Sequence, residues 1–181
     1  MKQHDYNIHQ HIIDRCLKGE RSAQYELYQL YSRAMYNVCY RIVRNEGDAE
    51  DVLQDAFVSA FQHLQSYNGD AAFGAWLKRI VVNKSLNVIK RKGVNLIEAD
   101  QLPDVPDEPT SWSNDDLDVR RIQAAMDLLP EGYRLVFSLY LLEGYDHGEI
   151  ADILGISEST SKSQFNRSKK KIREILERQH G

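Results

Sequence analysis

From Ala49 to Leu64 the apolar positions advance in alternating steps of three and one: Ala49, Val52, Leu53, Ala56, Phe57, Ala60, Phe61 and Leu64. That spacing predicts a helix with one buried face. Asp48, Asp51, Gln54 and Asp55 fall on the other side as an acidic ridge, which suits a helix N-terminus or a surface for a basic partner. Upstream, Ile8 to Leu17 reads as a short helix stopped near Gly19. Ser22 is the predicted cap of a second helix reaching about Arg44, striped by Tyr28, Tyr31, Met35, Val38, Cys39 and Ile42. The tyrosines between Tyr25 and Tyr40 read as packing residues with wet hydroxyls.

Ser66 to Asp70 has the composition of a loop. The helix after it turns Phe73, Trp76, Leu77 and Ile80 inward. Arg79, Asn83 and Asn87 recur every four residues on another face, with Lys90 and Arg91 one turn on. Cations bind phosphates, amides read base edges, and an aromatic such as Tyr67 can stack on an exposed base. Gly93 to about Asp118 breaks every periodicity and clusters Pro103, Pro106 and Pro109, so it reads as a flexible acidic linker. The organisation implied is all-α, with helical domains over 1–92 and 119–181 and a linker over 93–118.

The second domain carries a helix-turn-helix pattern. Asp146 with Glu149 predicts a capping box, and Ile150, Ala151, Ile153 and Leu154 an apolar face. Gly155 ends that helix, Ile156 plugs the turn, and Ser157 caps a helix running to about Arg178. Ser161, Phe165, Ser168, Ile172 and Ile175 fall on its inward face. Lys162, Ser163, Asn166, Arg167 and Lys170 fall outward, with Phe165 and Ile172 setting the rotation. These are donors of the kind that read DNA in a major groove.

Charge changes this picture more than composition does. The 181 residues carry a net charge of −4, which argues against a nucleic-acid partner until its distribution is considered. Ala71 to Ile97 holds six basic residues and no acid, and Ser157 to Arg173 holds six against the single acid Glu158. Glu98 to Asp118, between them, has eight acids and no base. No apolar run approaches the about 20 residues of a membrane span, and no signal peptide is expected behind Met1. Cys16 and Cys39 sit on apolar stripes without metal-ligand spacing and read as free core thiols.

In this order the motifs resemble the extracytoplasmic-function sigma factors of bacterial RNA polymerase. Asp48 to Phe57 is similar to the family's core-binding helix, and Phe73 to Asn83 to its promoter-melting, −10-reading segment. Leu129-Pro130, Glu143 to Ala151, Gly155-Ile-Ser and Thr160 to Ser163 with Arg167 resemble its −35-reading helix-turn-helix. Ser161 and Ser168 stand where the family commonly has valine and alanine. The resemblance implies a promoter-specificity subunit without catalysis or cofactor. Asp48, Asp51, Gln54 and Asp55 would meet core polymerase; Tyr67, Arg79, Asn83, Asn87, Lys90 and Arg91 would hold the melted −10 element; Ser159, Thr160, Lys162, Ser163, Asn166, Arg167 and Lys170 would read −35. Partners would be the clamp of the largest polymerase subunit, the flap, promoter DNA and an anti-sigma factor. The location implied is cytoplasmic, with the anti-sigma partner able to hold the chain at the inner membrane without its own insertion. Two DNA elements some two helical turns apart span about 70 Å. Twenty-six linker residues reach about 90 Å when extended but only about 30 Å as a relaxed coil. The polymerase surface must therefore impose an extended path.

An autonomous helix-turn-helix regulator is the alternative, but it has no use for the acidic ridge or the Trp76-containing basic helix. An enzyme is a poorer fit. His4, His9 and His11 read as solvated residues of an unanchored N-terminus, not metal ligands, and no nucleophile–base pair, Gly-rich phosphate loop or paired carboxylates stand out.

Overall fold

The computed structural model describes residues 8–94 and 119–178. They contain helices and turns and no strand, and the chain divides into two compact units, Met1–Lys92 and Gly93–Gly181. Apart from Gly93 and Val94, the expected linker lies outside the described residues, as does His4.

The first unit contains α1 (Gln10–Leu17), α2 (Arg21–Val43), α3 (Glu46–Gln62) and α4 (Phe73–Arg91), with a 3-10 turn at Leu64–Ser66. Helices α2, α3 and α4 pack mutually as a three-helix bundle, and α1 packs on α2. Ala49, Ala56 and Ala60 of α3 are buried, so the bulk at this interface comes from Val52, Leu53 and Phe57. Gly74 makes a close fit at the start of α4: a Cβ there would lie 3.2 Å from Cε1 of Tyr31 on α2, so the ring would have to give way by a few tenths of an ångström. Phe73 and Leu77 are buried as expected, but Trp76 and Ile80 are half-buried. The inward face continues instead through Val81, Val82, Leu86 and Ile89, with the Ser85 hydroxyl donating to the Val81 carbonyl at 2.8 Å.

Two helix starts differ from the sequence pattern. Glu20, in extended conformation, is the N-cap of α2, and Ser22 lies inside the first turn, where its Oγ accepts from Arg15. Arg15 also pairs with Glu20 and Glu26, so ion pairing sets this junction. Helix α3 begins at Glu46 because Asn45 Oδ1 accepts from the Asp48 N–H at 2.9 Å, and it ends at Gln62. Leu64 remains buried from the 3-10 turn. Both cysteines are free and buried; desolvation pushes the Cys39 thiol up to about 11, so it stays protonated.

The second unit contains α5 (Val119–Asp127), α6 (Glu131–Leu141), α7 (His147–Leu154) and α8 (Glu158–Arg178), with α5, α6 and α7 all packed on α8. The Asp146–Glu149 capping box is present, and Gly155 closes α7 in the left-handed region at φ 69°. Ser157 Oγ accepts from the Thr160 N–H at 3.0 Å, capping α8. Ser161, Phe165, Ser168 and Ile172 are buried; Ile175 is half-buried, and Leu176 takes the inward position at that turn. Gln164 is 0% exposed, and its amide oxygen and nitrogen have no hydrogen-bond partner among the described residues. A buried unpaired amide costs more than an apolar group of its shape. Gln164→Met is therefore expected to stabilise this unit by about 1 kcal/mol. The gain would appear as a higher urea midpoint for loss of amide protection along α8, and a lowered midpoint would count against it.

Candidate nucleic-acid and partner interfaces

The exposed side of α3 is split between its two neighbours. Lys84 Nζ on α4 donates to Asp55 Oδ2 at 2.7 Å, and Lys92, the residue after α4, pairs with Asp48. Asp51 and Gln54 are exposed. Toward α2, Glu50, Leu53 and Gln54 line a groove of about 340 Å³ with Tyr28, Ser32, Arg33 and Tyr36. The four residues of the expected ridge are thus not equivalent: Asp55 and Asp48 are engaged by Lys84 and Lys92, Gln54 lines the groove, and Asp51 makes no ion pair among the described residues. Lys84, Lys92 and Arg33 were not singled out by spacing, because cross-helix partners are invisible to the periodicity of one helix.

On α4, Asn83, Asn87, Lys90 and Arg91 are exposed and Arg79 is half-buried. Tyr67 is less free than a stacking residue in an open loop. Its ring meets Phe73 edge-on at 5.5 Å and Trp76 at 5.4 Å, and its hydroxyl donates to the Ala71 carbonyl at 2.7 Å. Asn68 and Asp70 are hydrogen-bonded within the same loop. From Phe73 the aromatic run continues to Tyr31 at 5.3 Å, and Tyr31 OH bonds His9 Nδ1 at 2.9 Å. His9 is therefore anchored to α2, which corrects the reading of it as a solvated residue. No group of three or more side chains suited to a metal ion occurs among the described residues.

On α8, Lys162 and Lys170 are exposed, while Ser163 and Asn166 are half-buried. Ser159 and Thr160 cluster with Ser157 through their hydroxyls, at 2.9 and 2.7 Å. Lys162 pairs with Glu158 one turn back at 2.7 Å, both side chains 57% exposed, so the pair opens at little cost. Arg167 departs from the expected outward face: it is only 8% exposed. Gln164 and Arg167 join the inward stripe because α5, α6 and α7 surround α8 on more than one side, widening the buried arc beyond a single stripe. Lys169 lies over the Phe165 ring at 4.9 Å.

The Ser161 hydroxyl is fully buried yet paired, bonding His147 Nδ1 at 2.8 Å. The His147 ring stacks on Tyr140 at 4.6 Å and meets Phe165 at 5.7 Å. The serine that replaces the family's valine thus has a partner in α7, which sequence spacing did not reveal. Ser168 donates to the Phe165 carbonyl at 2.6 Å. Burial lowers the His147 pKa below its ordinary 6.5, with Lys162 acting in the same direction and Glu158 and Asp146 opposing.

The structure defines a class, a three-helix bundle and a helix-turn-helix domain in one chain, each with a basic helix. The Sigma-70 region 2 family matches residues 27–94, and the Sigma-70, region 4 family matches 119–172. The ECF RNA polymerase sigma-E factor of Escherichia coli (strain K12) is 30% identical over 175 residues, covering 89% of this chain and 90% of that protein. The ECF RNA polymerase sigma factor SigE of Mycolicibacterium smegmatis is 31% identical over 156 residues; the match covers 83% of this chain but 60% of that protein's length. The sigma factor RpoE of Bartonella quintana, solved in complex with the anti-sigma factor NepR, has the same fold. Its TM-score is 0.57 at 22% identity, over 84% of this chain and 95% of that one. The chain belongs to the extracytoplasmic-function sigma factors, the non-enzymatic promoter-specificity subunits of bacterial RNA polymerase. No helix among the described residues is long and apolar enough to cross a membrane.

His147 makes the second unit sensitive to acid. A depressed folded pKa means the unfolded chain binds the proton more readily, so the contribution is fully present above about 6.5 and is lost as pH falls through the folded value. Amide protection of α7 and α8 should therefore weaken between pH 7 and 5, and His147→Gln should flatten that dependence. An unchanged profile in the variant would remove His147 as the cause.

Proposed function

We propose that three surfaces of the two units divide the sigma-factor task. The α3 ridge at Asp48, Asp51, Gln54 and Asp55, with the α2–α3 groove beside it, docks on a basic coiled coil of the polymerase clamp. The α4 row of Arg79, Asn83, Asn87, Lys90 and Arg91, with the Tyr67 loop, holds the melted −10 strand. Extruding a base costs a few kcal/mol, which stacking and hydrogen bonds must offset. A loop already held against Phe73 and Trp76 spends little of that gain on its own ordering. In the −35 element Lys162, Ser163 and Asn166 meet bases, Ser159 and Thr160 lie at the capped entrance, and Lys170 follows the phosphates. Arg167 holds α8 in place instead of reading a base.

The observation that carries this reading is that most of the proposed contact residues remain outside the cores of their units, while the apolar stripes beneath them are spent on packing. The linker from Gly93 to Asp118 would join the units along the polymerase, and the flap would receive the second unit. By analogy with the Bartonella protein, an anti-sigma partner would cover these faces, placing the chain in the cytoplasm or at the inner membrane.

Run-off transcription with core polymerase and holoenzyme binding to matched and scrambled −35 elements test the assignment. Asp51→Arg should weaken core association without loss of fold stability, since exposed charges contribute little to folding. Lys162→Ala or Asn166→Ala should cost about 1–3 kcal/mol on the matched element and relax discrimination. Lys170→Ala should weaken both elements and reduce the salt slope by about one. Arg167→Ala should lower α8 protection and affect both elements alike. Equal losses on matched and scrambled DNA for Lys162→Ala and Asn166→Ala would refute base reading by this face.

A further inference from the structure

We propose that the Asp48–Lys92 and Asp55–Lys84 ion pairs form a latch that withholds two cations from single-stranded DNA until the α3 carboxylates are taken by a basic partner. The proposal rests on the assignment of α3 to core docking and α4 to DNA. Each pair joins a ridge carboxylate on α3 to a lysine of the acid-free segment from Ala71 to Ile97, Lys84 within α4 and Lys92 at its C-cap. Lys84 precedes Asn87 by one turn and Arg91 by two, so it borders the exposed row of α4. Lys92 is the C-cap residue, next to Lys90 and Arg91.

One carboxylate cannot serve two cations equally well. A partner's basic side chain at Asp48 or Asp55 competes with Lys92 or Lys84, and the displaced ammonium becomes available to a phosphate. The reverse also holds: a phosphate that draws off the lysine leaves the carboxylate open to the partner, so the coupling is reciprocal. The exchange is open to solvent through one partner of each pair: the side chains of Asp55 and Lys92 are 66% and 53% exposed, against 27% for both Lys84 and Asp48, and pairs with an exposed partner are weak. Each pair then changes affinity by at most about fivefold. That is a bias toward binding DNA after docking, not a block.

The test is fluorescence anisotropy of the full chain with a labelled 12-nucleotide single strand, titrated at several salt concentrations. Asp48→Asn with Asp55→Asn should tighten binding about five- to twentyfold and steepen the salt dependence by about 1.4, for two added phosphate contacts. Asp14→Asn with Glu46→Gln makes the same charge change without touching either pair and should shift affinity less than twofold. Equal gains in the two double variants would overturn the latch, as would no gain in the first.

A second pair of measurements stands if the first variant folds poorly. Lys84→Gln with Lys92→Gln should leave the free chain's affinity for the strand within twofold and lower holoenzyme affinity for a pre-opened promoter at least threefold. Unchanged holoenzyme affinity, or an equal loss in the free chain, would overturn the proposal. Failure of the docking assignment shows separately, as normal core association by Asp51→Arg.

Discussion

Burying the apolar stripe of a helix fixes its rotation about its own axis, and the exposed residues of this protein owe their directions to that constraint. The effect is strongest in α8, on which α5, α6 and α7 all pack. With Phe165, Ile172 and Leu176 buried, each worth roughly 1.5–3 kcal/mol, turning α8 to present another face would expose several large side chains at once. The outward positions of Lys162 and Lys170 follow from that cost. In the first unit, the buried alanines and the large side chains of α3 similarly settle which carboxylates face α4 and which face the groove.

Electrostatics act on a smaller scale and with a different purpose. The ion pairs on α3, α4 and α8 are between exposed or half-exposed groups, so they add little to folding and can be exchanged for a partner's charges. That suits a subunit that must join and leave its partners. The chain's net negative charge is no obstacle, because 12 of its 23 basic residues fall in two segments that hold a single acid between them, while eight of its 27 acids lie apart between Glu98 and Asp118. Arg134, nearly fully buried and paired with Glu131, shows the contrasting case of a charge committed to structure.

The aromatic run from His9 through Tyr31 and Phe73 to Tyr67 and Trp76 links the N-terminal helix to the loop beside the candidate −10 face. Gly74 lets Tyr31 approach α4 closely enough to complete it. Edge-on and tilted rings of this kind contribute about 0.5–1.5 kcal/mol per pair beyond their burial. They position the loop before any nucleic acid arrives, and they couple its stability to α1, a helix that contributes none of the candidate contact residues.

Periodicity by itself determined the helical class, the positions of the helices it marked to within a few residues, the helix-turn-helix caps at Asp146, Gly155 and Ser157, and the separation of basic from acidic surface. Those features depend on neighbours within one or two turns, which a linear pattern records. Tertiary structure decided what depends on a second helix. It turned Arg167 and Gln164 inward, gave Ser161 a partner in His147, anchored His9 on Tyr31, and set Lys84 and Lys92 on the carboxylates of α3. A helical period assigns one inward stripe, whereas a helix packed by three neighbours buries a wider arc, and a pairing across tens of residues leaves no local trace in the sequence.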